Sequence, residues 1–578
     1  MIWWTDQPRR ARSERQAIAD LVEAHDWLQS VTWRLNNELQ FVADFEIAHL
    51  GATHALSITY PHFFPAMPPQ VAPREEIRIS QHQYGAGGEL CLEYRPDNWE
   101  PGFTGAMMIE SAYRLLAGEN PAQDEHADVL SAHRQTTAQE VRNLKYRALI
   151  DAGLIEILAQ LPECEAQPFT FDEHYYAQHW LAHPRQLGAS DTPPLWSAPA
   201  RLADPRSRNG FAFRLPDDVD IPFEGNYAFL EKIVTAMKFA PALERMAESS
   251  DEMPLLLFHR GIARLYSVGG GTGVRIVYTY RTIDVPNGEQ RLSAEHAGLP
   301  DRSVAIVGCG SVGSKVAATL ARAGVGTFVL VDGDLALPGN LVRNELDWRA
   351  IGLNKPDALA ARLREINPEV KTVVRRILLG GQESSASTDS ALQRIGRCDL
   401  IIDATADAQI FNLCGEVARV EKRPFLWGEV FAGGIGGLIG RLRPELDPPP
   451  PAARRQILRW CEDNGVPWIA DEGGQYSLQI DAEKPPLIAD DGDVSVIAAH
   501  MSRMAIDVLK GGDTHFPNSA YAIGLDRQWM FAAPFDTWPI DLVAEGAWGT
   551  EVDENASAEL GALVSELFPK LDGDGSEG

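Results

Sequence analysis

The chain has few cysteines. Six occur in 578 residues, at positions 91, 164, 309, 398, 414 and 461, and no two form a C-x-x-C pair. So sparse and scattered a set builds no disulfide scaffold, and it implies a reducing, cytoplasmic setting. A structural zinc of the paired-cysteine kind is not expected either. Long apolar runs are also missing. No stretch of about 18 apolar residues occurs, which argues against a membrane-spanning helix. The opening MIWWTDQPRRARSER lacks the apolar core of a signal peptide. Positive charge is scarce: 52 Lys and Arg face 81 Asp and Glu, a net charge of −29. Such a balance repels phosphate backbones and anionic lipid, so neither nucleic acid nor a membrane is an expected partner. What remains, 45% hydrophobic and 23% charged residues, is ordinary globular material, long enough for roughly three or four domains.

The most informative segment is Val304 to Gly339, VAIVGCGSVGSKVAATLARAGVGTFVLVDGDLALPG. Val304 to Val307 reads as a strand, and Gly308, Gly310 and Gly313 follow at G-x-G-x-x-G spacing. An amphipathic helix from Ser314 then leads to a second strand, Phe328 to Val331, which ends in Asp332. Strand, glycine loop, helix and acid-tipped strand form a nucleotide site. The glycines admit phosphates close to the backbone, the helix N-terminus offers unpaired N–H groups, and the acid accepts from ribose hydroxyls.

The residues downstream choose the nucleotide. Asp334 follows Asp332, then come Asn340-Leu341-Val342-Arg343, Lys355 in GLNKPDALAARL, Asn367-Pro368, and the strand CDLIIDATAD with Asp403 and Asp407. A nicotinamide dehydrogenase would share GxGxxG and Asp332 but leaves Arg343 and Lys355 without a task. An enzyme that splits ATP between its α and β phosphates uses such cations against developing charge, and an aspartate to hold Mg²⁺. The order GxGxxGS, DxD, NLxR, GxxK, NP, DxTxD resembles the adenylating enzymes related to ubiquitin activation and to thiamine and molybdopterin synthesis (ThiF/MoeB type). The resemblance makes Gly308, Gly310 and Gly313 the phosphate loop and Asp332, with Asp334 beside it, the ribose end. It gives the triphosphate to Asn340, Arg343 and Lys355, catalysis to Arg343 and Lys355, and Mg²⁺ to Asp407. DATAD has one residue more between its acids than the usual pattern, so Asp403 stays the alternative metal ligand. The plainer readings are a solvated loop for Asp334 and Asn340, and surface cations for Arg343 and Lys355.

A second, independent signal lies near the N-terminus. A strand, Ala55 to Tyr60, is followed by YPHFFPAMPPQV, by SQHQYGAGGELCLEYRPDNWEP and by an amphipathic stretch from Ala106 to Ala117. This order resembles the ubiquitin-conjugating fold, with Pro61, Pro65, Pro68 and Pro69 as its rigid turn and Trp99 and Pro101 as its WxP element. The resemblance makes Cys91 the thioester cysteine. A cysteine beside leucine is commonly a small buried hydrophobe, but glycines at 85, 87 and 88 and the polar Glu93, Arg95 and Asp97 suggest an open loop where a thiolate could attack. The usual His-Pro-Asn appears as His82-Gln83-Tyr84, one residue further from the cysteine. His82 is therefore either oxyanion support or a turn residue.

Together these signals resemble bacterial fusions of a conjugating with an activating domain, as in CBASS-type anti-phage operons. The fold class expected is α/β, with an α+β conjugating-like domain over 1–160, a linker and small α+β region over 161–295, a Rossmann-like adenylating domain with a mainly parallel sheet over 296–545, and a tail over 546–578. The resemblance implies ATP-dependent adenylation of a protein C-terminus, thioester transfer to Cys91 and conjugation to an amine. It implies as partners the C-terminal tail of a ubiquitin-like protein or of a CBASS-type nucleotidyltransferase, and a second copy of the chain, with Trp348, Trp427 and the glycine-rich residues 431 to 440 as candidate interface. Activating enzymes usually carry their own cysteine before the last helix, near Ile488 and Ala489, and none is there. Either Cys461, in the loop-like RWCEDNG, replaces it or Cys91 attacks the adenylate directly. Cys414 reads as core. A sulfur-carrier adenylyltransferase, which would bring zinc pairs, and a catalytically impaired scaffold are the competing readings. Between the signals, 137–162 reads as helical, 186–210 as linker, Phe211–Arg281 as a small α+β unit and GGGTG at 269 to 273 as a hairpin turn. The four prolines that open DPPPPAARRQILRWCEDNG read as outside any regular element, and the closing DGDGSEG as disordered.

Overall fold

The computed structural model describes all residues except 1, 76, 81, 85–87, 120–135, 143, 190, 199–205, 220, 222–224, 249–251, 271–273, 286–291, 466–476, 479–486, 550–554 and 569–578. The chain divides into two compact units, Met1–Leu144 and Lys145–Gly578. Among the described residues no helix is long and apolar enough to cross a membrane.

In the first unit helix α1 (Pro8–Ala24) precedes an antiparallel meander of β1 (Leu28–Leu35), β2 (Phe41–His49), β3 (Ala52–Thr59) and β4 (Gln70–Pro73), and α2 (Gly105–Glu119) follows. The apolar stripe of α2, with Met108, Ile109, Ala112 and Leu116, packs against Phe45, Ile47, Leu56 and Ile58 of the sheet. One buried carboxylate ties three parts of the unit together. Glu14, fully buried, accepts from Arg10 Nε at 2.9 Å, from the Tyr60 hydroxyl at 2.9 Å and from the Gly105 N–H at 2.6 Å. With three donors around it the charge is matched inside the core, where an unpaired one would be strongly destabilising.

The second unit opens with a sheet the sequence reading missed. β5 (Tyr146–Asp151), helix α3 (Ala152–Gln160), β6 (Ala166–Tyr176), β7 (His179–Leu187), β8 (Trp196–Ser197), β9 (Arg206–Arg214), helices α4 (Tyr227–Ala236) and α5 (Ala240–Glu248), β10 (Met253–His259), β11 (Ile262–Gly269) and β12 (Ile276–Val285) follow in order. The eight strands run β8-β7-β5-β12-β11-β10-β9-β6, and an additional β6–β7 pairing closes all but β8 into a barrel. Leu154 and Leu158 of α3 are buried with Phe169, Phe171, Leu256 and Leu265, while α4 and α5 cover Phe213, Leu255, Leu257 and Tyr266 on the other face of the sheet. The stretch 137–162, expected helical, thus holds β5. It and α3, expected in the first domain, belong to the second unit. The expected linker 186–210 contributes β8 and much of β9, and the expected small unit is the larger part of the barrel. β11 and β12 form the antiparallel hairpin expected around GGGTG. Residues 271–273 of that turn lie outside the described residues, as do Gly85, Gly87 and the closing DGDGSEG.

The third sheet runs β15-β14-β13-β16-β17-β18-β19-β20. Its strands are β13 (Ser303–Val307), β14 (Thr327–Val331), β15 (Lys371–Arg375), β16 (Leu400–Asp403), β17 (Phe425–Phe431), β18 (Gly436–Leu442), β19 (Ala520–Gly524) and β20 (Thr537–Ile540). The run β15-β14-β13-β16-β17 is joined by four parallel pairings, whereas β17–β18, β18–β19 and β19–β20 are antiparallel, so the sheet is mixed. Helices α6 (Ser311–Arg322), α7 (Lys355–Ile366) and α11 (Asp491–Lys510) bury one face. Helices α8 (Ser385–Gly396), α9 (Ala408–Val420) and α10 (Pro450–Asp463) bury the other. α10 corrects two expectations. Its first turn contains Pro450 and Pro451, because a proline lacks only an N–H that the first turn leaves unbonded anyway. Cys461 is helical and buried, not in a loop. The expected boundary at 545 falls short, since Trp548 Nε1 donates to Asp447 O at 2.8 Å and Gly549 N–H to Arg419 O at 2.7 Å. A last helix, α12 (Ala556–Leu567), buries no residue.

Candidate active site

In the third sheet the chain leaves β13 for β14 on one side and returns as β16 on the other. That reversal opens a crevice at the C-terminal strand ends, where open α/β sheets bind ligands. Gly308 sits there with φ +87°, a left-handed conformation that favours glycine, and its N–H donates to Val331 O at 2.9 Å. A Cβ on Gly313 would lie 1.9 Å from Gly308 O, so the third glycine is required for α6 to approach the loop. α6 begins at Ser311, three residues earlier than expected, which places its free N–H groups directly after Gly310.

One cleft is lined by Gly310, Ser311, Asn340, Arg343, Asn344 and Lys355. Four of these are residues the sequence singles out. Ser311 and Asn344 were missed, although each adjoins a recognised residue, Gly310 and Arg343. Lys355 is 8% exposed and its Nζ lies 2.7 Å from Asp334 Oδ2. Asn340 Oδ1 accepts from Leu337 N–H at 2.9 Å, so a bond from this side chain to a ligand would use Nδ2. Arg343 Nη1 donates to Ala489 O at 3.3 Å, and Lys315 Nζ lies 2.8 Å from Asp491. Two cations next to the glycine loop thus grip the start of α11. Asp332 accepts from Cys309 N–H at 2.7 Å and from Asp334 N–H at 2.8 Å. Burial raises its pKa above the usual carboxylate range while those two bonds oppose the shift. A carboxylate has about four acceptor positions, and two remain for a diol.

The two candidate metal ligands differ. Asp403 is buried, and Thr405 donates to it through its N–H at 3.0 Å and its hydroxyl at 2.6 Å. Burial pushes its pKa up to about 6. Asp407 is exposed and caps α9, accepting from Gln409 N–H at 2.7 Å and Ile410 N–H at 3.0 Å. Among the described residues no three His, Cys, Asp or Glu side chains converge as a metal cage. Mg²⁺ bound with a nucleotide needs only one or two carboxylates beside the phosphates, so an exposed carboxylate at this crevice fits that use.

The cysteine loop is built differently. Cys91 is half-buried, and its N–H donates to His82 O at 2.7 Å. Burial first, then the charges of Glu89 and Glu119, push the thiol up to about 11. The open loop expected around Cys91 is therefore only partly open, and the sulfur sits where its protonated form is favoured. Glu93 is paired with Arg114 at 2.6 Å and Arg95 with Asp97 at 3.0 Å, and the acids that reach the sulfur are others. Gln83 organises the loop: its Oε1 accepts from Ile79 and Ser80 N–H at 2.7 and 2.9 Å, and its Nε2 donates to Gly88 O at 2.8 Å. His82 Nε2 lies 3.9 Å from Glu119 Oε1. Trp99 Nε1 donates to Pro65 O at 2.7 Å, tying the WxP element to the proline turn. Cys461 is shut in by helix packing, and burial, then Glu429, push its thiol up to about 12. Cys414 is core, as expected. Trp427 and Gly436–Leu442, expected at an interface, are core too, whereas Trp348 is 72% exposed.

Residues 293–444 match the ThiF family, so the C-terminal half carries a ThiF-family adenylating domain. The ATP-dependent ubiquitin transferase-like protein Cap2 of Pseudomonas aeruginosa is 31% identical over 145 residues, 24% of this chain and 25% of that protein. The uncharacterized protein y4qC of Sinorhizobium fredii is 27% identical over 257 residues, 42% of this chain and 43% of that protein. The adenylyltransferase and sulfurtransferase MOCS3 of Aedes aegypti is 29% identical over 178 residues, 29% of this chain and 38% of that protein. The chain thus spans less than half the length of each of these relatives. Among solved structures, E. coli MccB with ATP aligns over 44% of this chain and 69% of that one, at 15% identity and TM-score 0.34. So slight a likeness carries no inference.

Proposed function

We propose that the chain adenylates the C-terminal carboxylate of a partner protein, takes the acyl group onto Cys91 and passes it to an amine. The observation that carries this reading is the convergence of Arg343, Lys355, Asn340 and the α6 N-terminus on one cleft beside Asp332, within the ThiF-family domain. A carboxylate oxygen of the partner attacks the α-phosphorus of ATP and pyrophosphate leaves. Arg343, Lys355 and the loop N–H groups stabilise the charge that develops there. Mg²⁺, held at Asp407, would neutralise the phosphate oxygens. The Cys91 sulfur, losing its proton, then attacks the acyl carbon of the mixed anhydride, AMP leaves, and a thioester forms. An amine displaces the sulfur in the last step. Carrying the cysteine on the same chain raises its effective concentration towards the adenylate.

The order of α1, the β1–β4 meander, the cysteine loop and α2 supports the conjugating-like reading of the first unit. The similarity to Cap2, a protein described as ATP-dependent ubiquitin transferase-like, supports the class of chemistry, and the anti-phage setting is proposed from the order of the two domains. The tail would belong to a ubiquitin-like protein or a nucleotidyltransferase. A second copy is proposed to dock on the exposed Leu335, Leu337, Val342, Trp348 and Leu353 beside the cleft. Trp348→Glu should then convert a dimer to a monomer in light scattering. The test of the whole reading is pyrophosphate exchange into ATP by the full chain, with Mg²⁺ and the tail of a ubiquitin-like protein or nucleotidyltransferase encoded beside it. Absence of tail-dependent exchange would overturn it.

A further inference from the structure

The barrel of the second unit has an apolar end and a polar end. Around α3 its interior is Leu154, Leu158, Phe169 and Leu256. Towards the other end a rung of aromatic side chains crosses adjacent strands. Tyr146 on β5 stands opposite Trp180 on β7, and the β5–β12 register sets it level with Tyr280 on β12. The Tyr146 ring centroid lies 5.4 Å from that of Tyr280 and 5.2 Å from that of Tyr278. Tyr146, Trp180 and Tyr278 are only half-buried, so this end meets solvent.

Among the described residues, two acids near these rings are ion-paired to a single cation. Glu173, 4% exposed, accepts a short hydrogen bond from the Tyr280 hydroxyl and lies 3.4 Å from Arg208. The same guanidinium lies 3.0 Å from Glu252, whose side chain is 30% exposed. Two carboxylates therefore share one cation. A Cβ on Gly269 would lie 2.9 Å from Glu252 Cγ and 3.3 Å from Tyr278 Cε2, so Glu252 stands beside the aromatic rung, and Glu173 is tied to it through the Tyr280 hydroxyl. Ser267, 1% exposed and opposite Tyr278 in the β11–β12 ladder, has a hydroxyl with no hydrogen-bond partner. Aromatic faces, two carboxylates on one cation and an unmet hydroxyl at a barrel mouth are the parts of an organic-cation site.

We infer that the open end of the barrel binds a primary ammonium group, and specifically a lysine side chain of a protein, between the faces of Tyr146, Tyr278 and Trp180 and the carboxylates of Glu173 and Glu252. The ammonium supplies a second cation to the two carboxylates that share Arg208, and its three N–H donors find carboxylate oxygens and the Ser267 hydroxyl. The lysine stem, being apolar, lies along the rings. Free polyamines offer the same head group but lack the peptide flanks.

Saturation-transfer NMR on the full chain tests this with the probe Ac-Gly-Lys-Gly-NH2, its norleucine analogue and spermidine. Transfer to the lysine ε protons is expected, with none to norleucine. Glu252→Gln and Tyr278→Ala, at the solvent-facing rim and outside the lining of the cleft at Arg343 and Lys355, should each weaken binding roughly tenfold while the circular-dichroism melt stays unchanged. Equal transfer to norleucine, or undiminished transfer in both variants, would overturn the site. Spermidine binding without binding of the lysine peptide would overturn the assignment to a protein side chain. Should Tyr278→Ala melt early, Tyr278→Leu keeps the bulk and removes the π face, and it must show the same loss.

Discussion

The nucleotide cleft and the cysteine loop solve opposite electrostatic problems. The cleft gathers two cations, Arg343 and Lys355, and the N–H groups of the α6 start in an acidic protein, with Lys355 held against Asp334. The cysteine loop does the reverse: a half-buried thiol beside Glu89 and Glu119, with its pKa at about 11, is almost wholly protonated at neutral pH. On the proposed function, the two halves divide the work of reactivity. A mixed anhydride is activated enough to react with a sluggish sulfur, and a thiol that stays protonated resists adventitious oxidation. If so, the cleft should tolerate no loss of cations, while the thiol should become more reactive, not less, when its acids are removed.

The largest effect expected is from Cys91→Ala. It should abolish every covalent adduct between the chain and the tail, read by intact-protein mass spectrometry, while pyrophosphate exchange persists. Cys461→Ala should leave the adduct intact, because that sulfur is walled in by α10 packing. An adduct that survives in Cys91→Ala and vanishes in Cys461→Ala breaks the division. Next, Arg343→Ala and Lys355→Ala should each lower exchange by about a hundredfold or more. The adduct on Cys91 should fall in proportion, since no adenylate is available to it.

A smaller change tests the sign of the thiol's environment. Removing a neighbouring negative charge favours the thiolate, so Glu89→Gln or Glu119→Gln should bring the pKa down from about 11. Alkylation by iodoacetamide at pH 8.5 should then speed up roughly threefold. In the wild type the rate should keep rising with pH towards 11 without a plateau near 9. A plateau near 9 would show that the two acids do not act on the sulfur.

The comparison also shows what a sequence can carry. The glycine loop was legible as a fold element because its physics is local: a strand, three glycines and a helix start lie within a dozen residues, and Gly313 is forced by a backbone oxygen five residues back. Ser311 and Asn344 were passed over because neither residue type announces a ligand by itself. The thiol's electrostatic surroundings were not legible, because Glu119 lies 28 residues away in sequence and Glu93 and Asp97 are paired with Arg114 and Arg95. The barrel was illegible for a third reason. It is closed by pairings between distant segments, β5 with β12 and β6 with β9, and the Pro- and Arg-rich 186–210 gave no strand alternation to suggest an edge.

The smallest effect separates two roles of one residue. Asp407 caps α9 with one carboxylate oxygen, and it is also the proposed Mg²⁺ ligand. Asparagine caps a helix about as well as aspartate, whereas alanine loses about 1 kcal/mol. As a neutral amide it is a far poorer Mg²⁺ ligand. Asp407→Asn should therefore leave the melting temperature within about one degree of the wild type, while the Mg²⁺ concentration for half-maximal exchange rises several-fold. Asp407→Ala should show the same Mg²⁺ shift and a melting temperature lower by roughly 2–4 °C if its own domain of about 150–250 residues melts as one step. Equal Mg²⁺ midpoints in Asp407→Asn and wild type, with only Asp407→Ala destabilised, would reduce the residue to a helix cap and pass the metal to Asp403, whose raised pKa of about 6 then predicts exchange that fails below that pH.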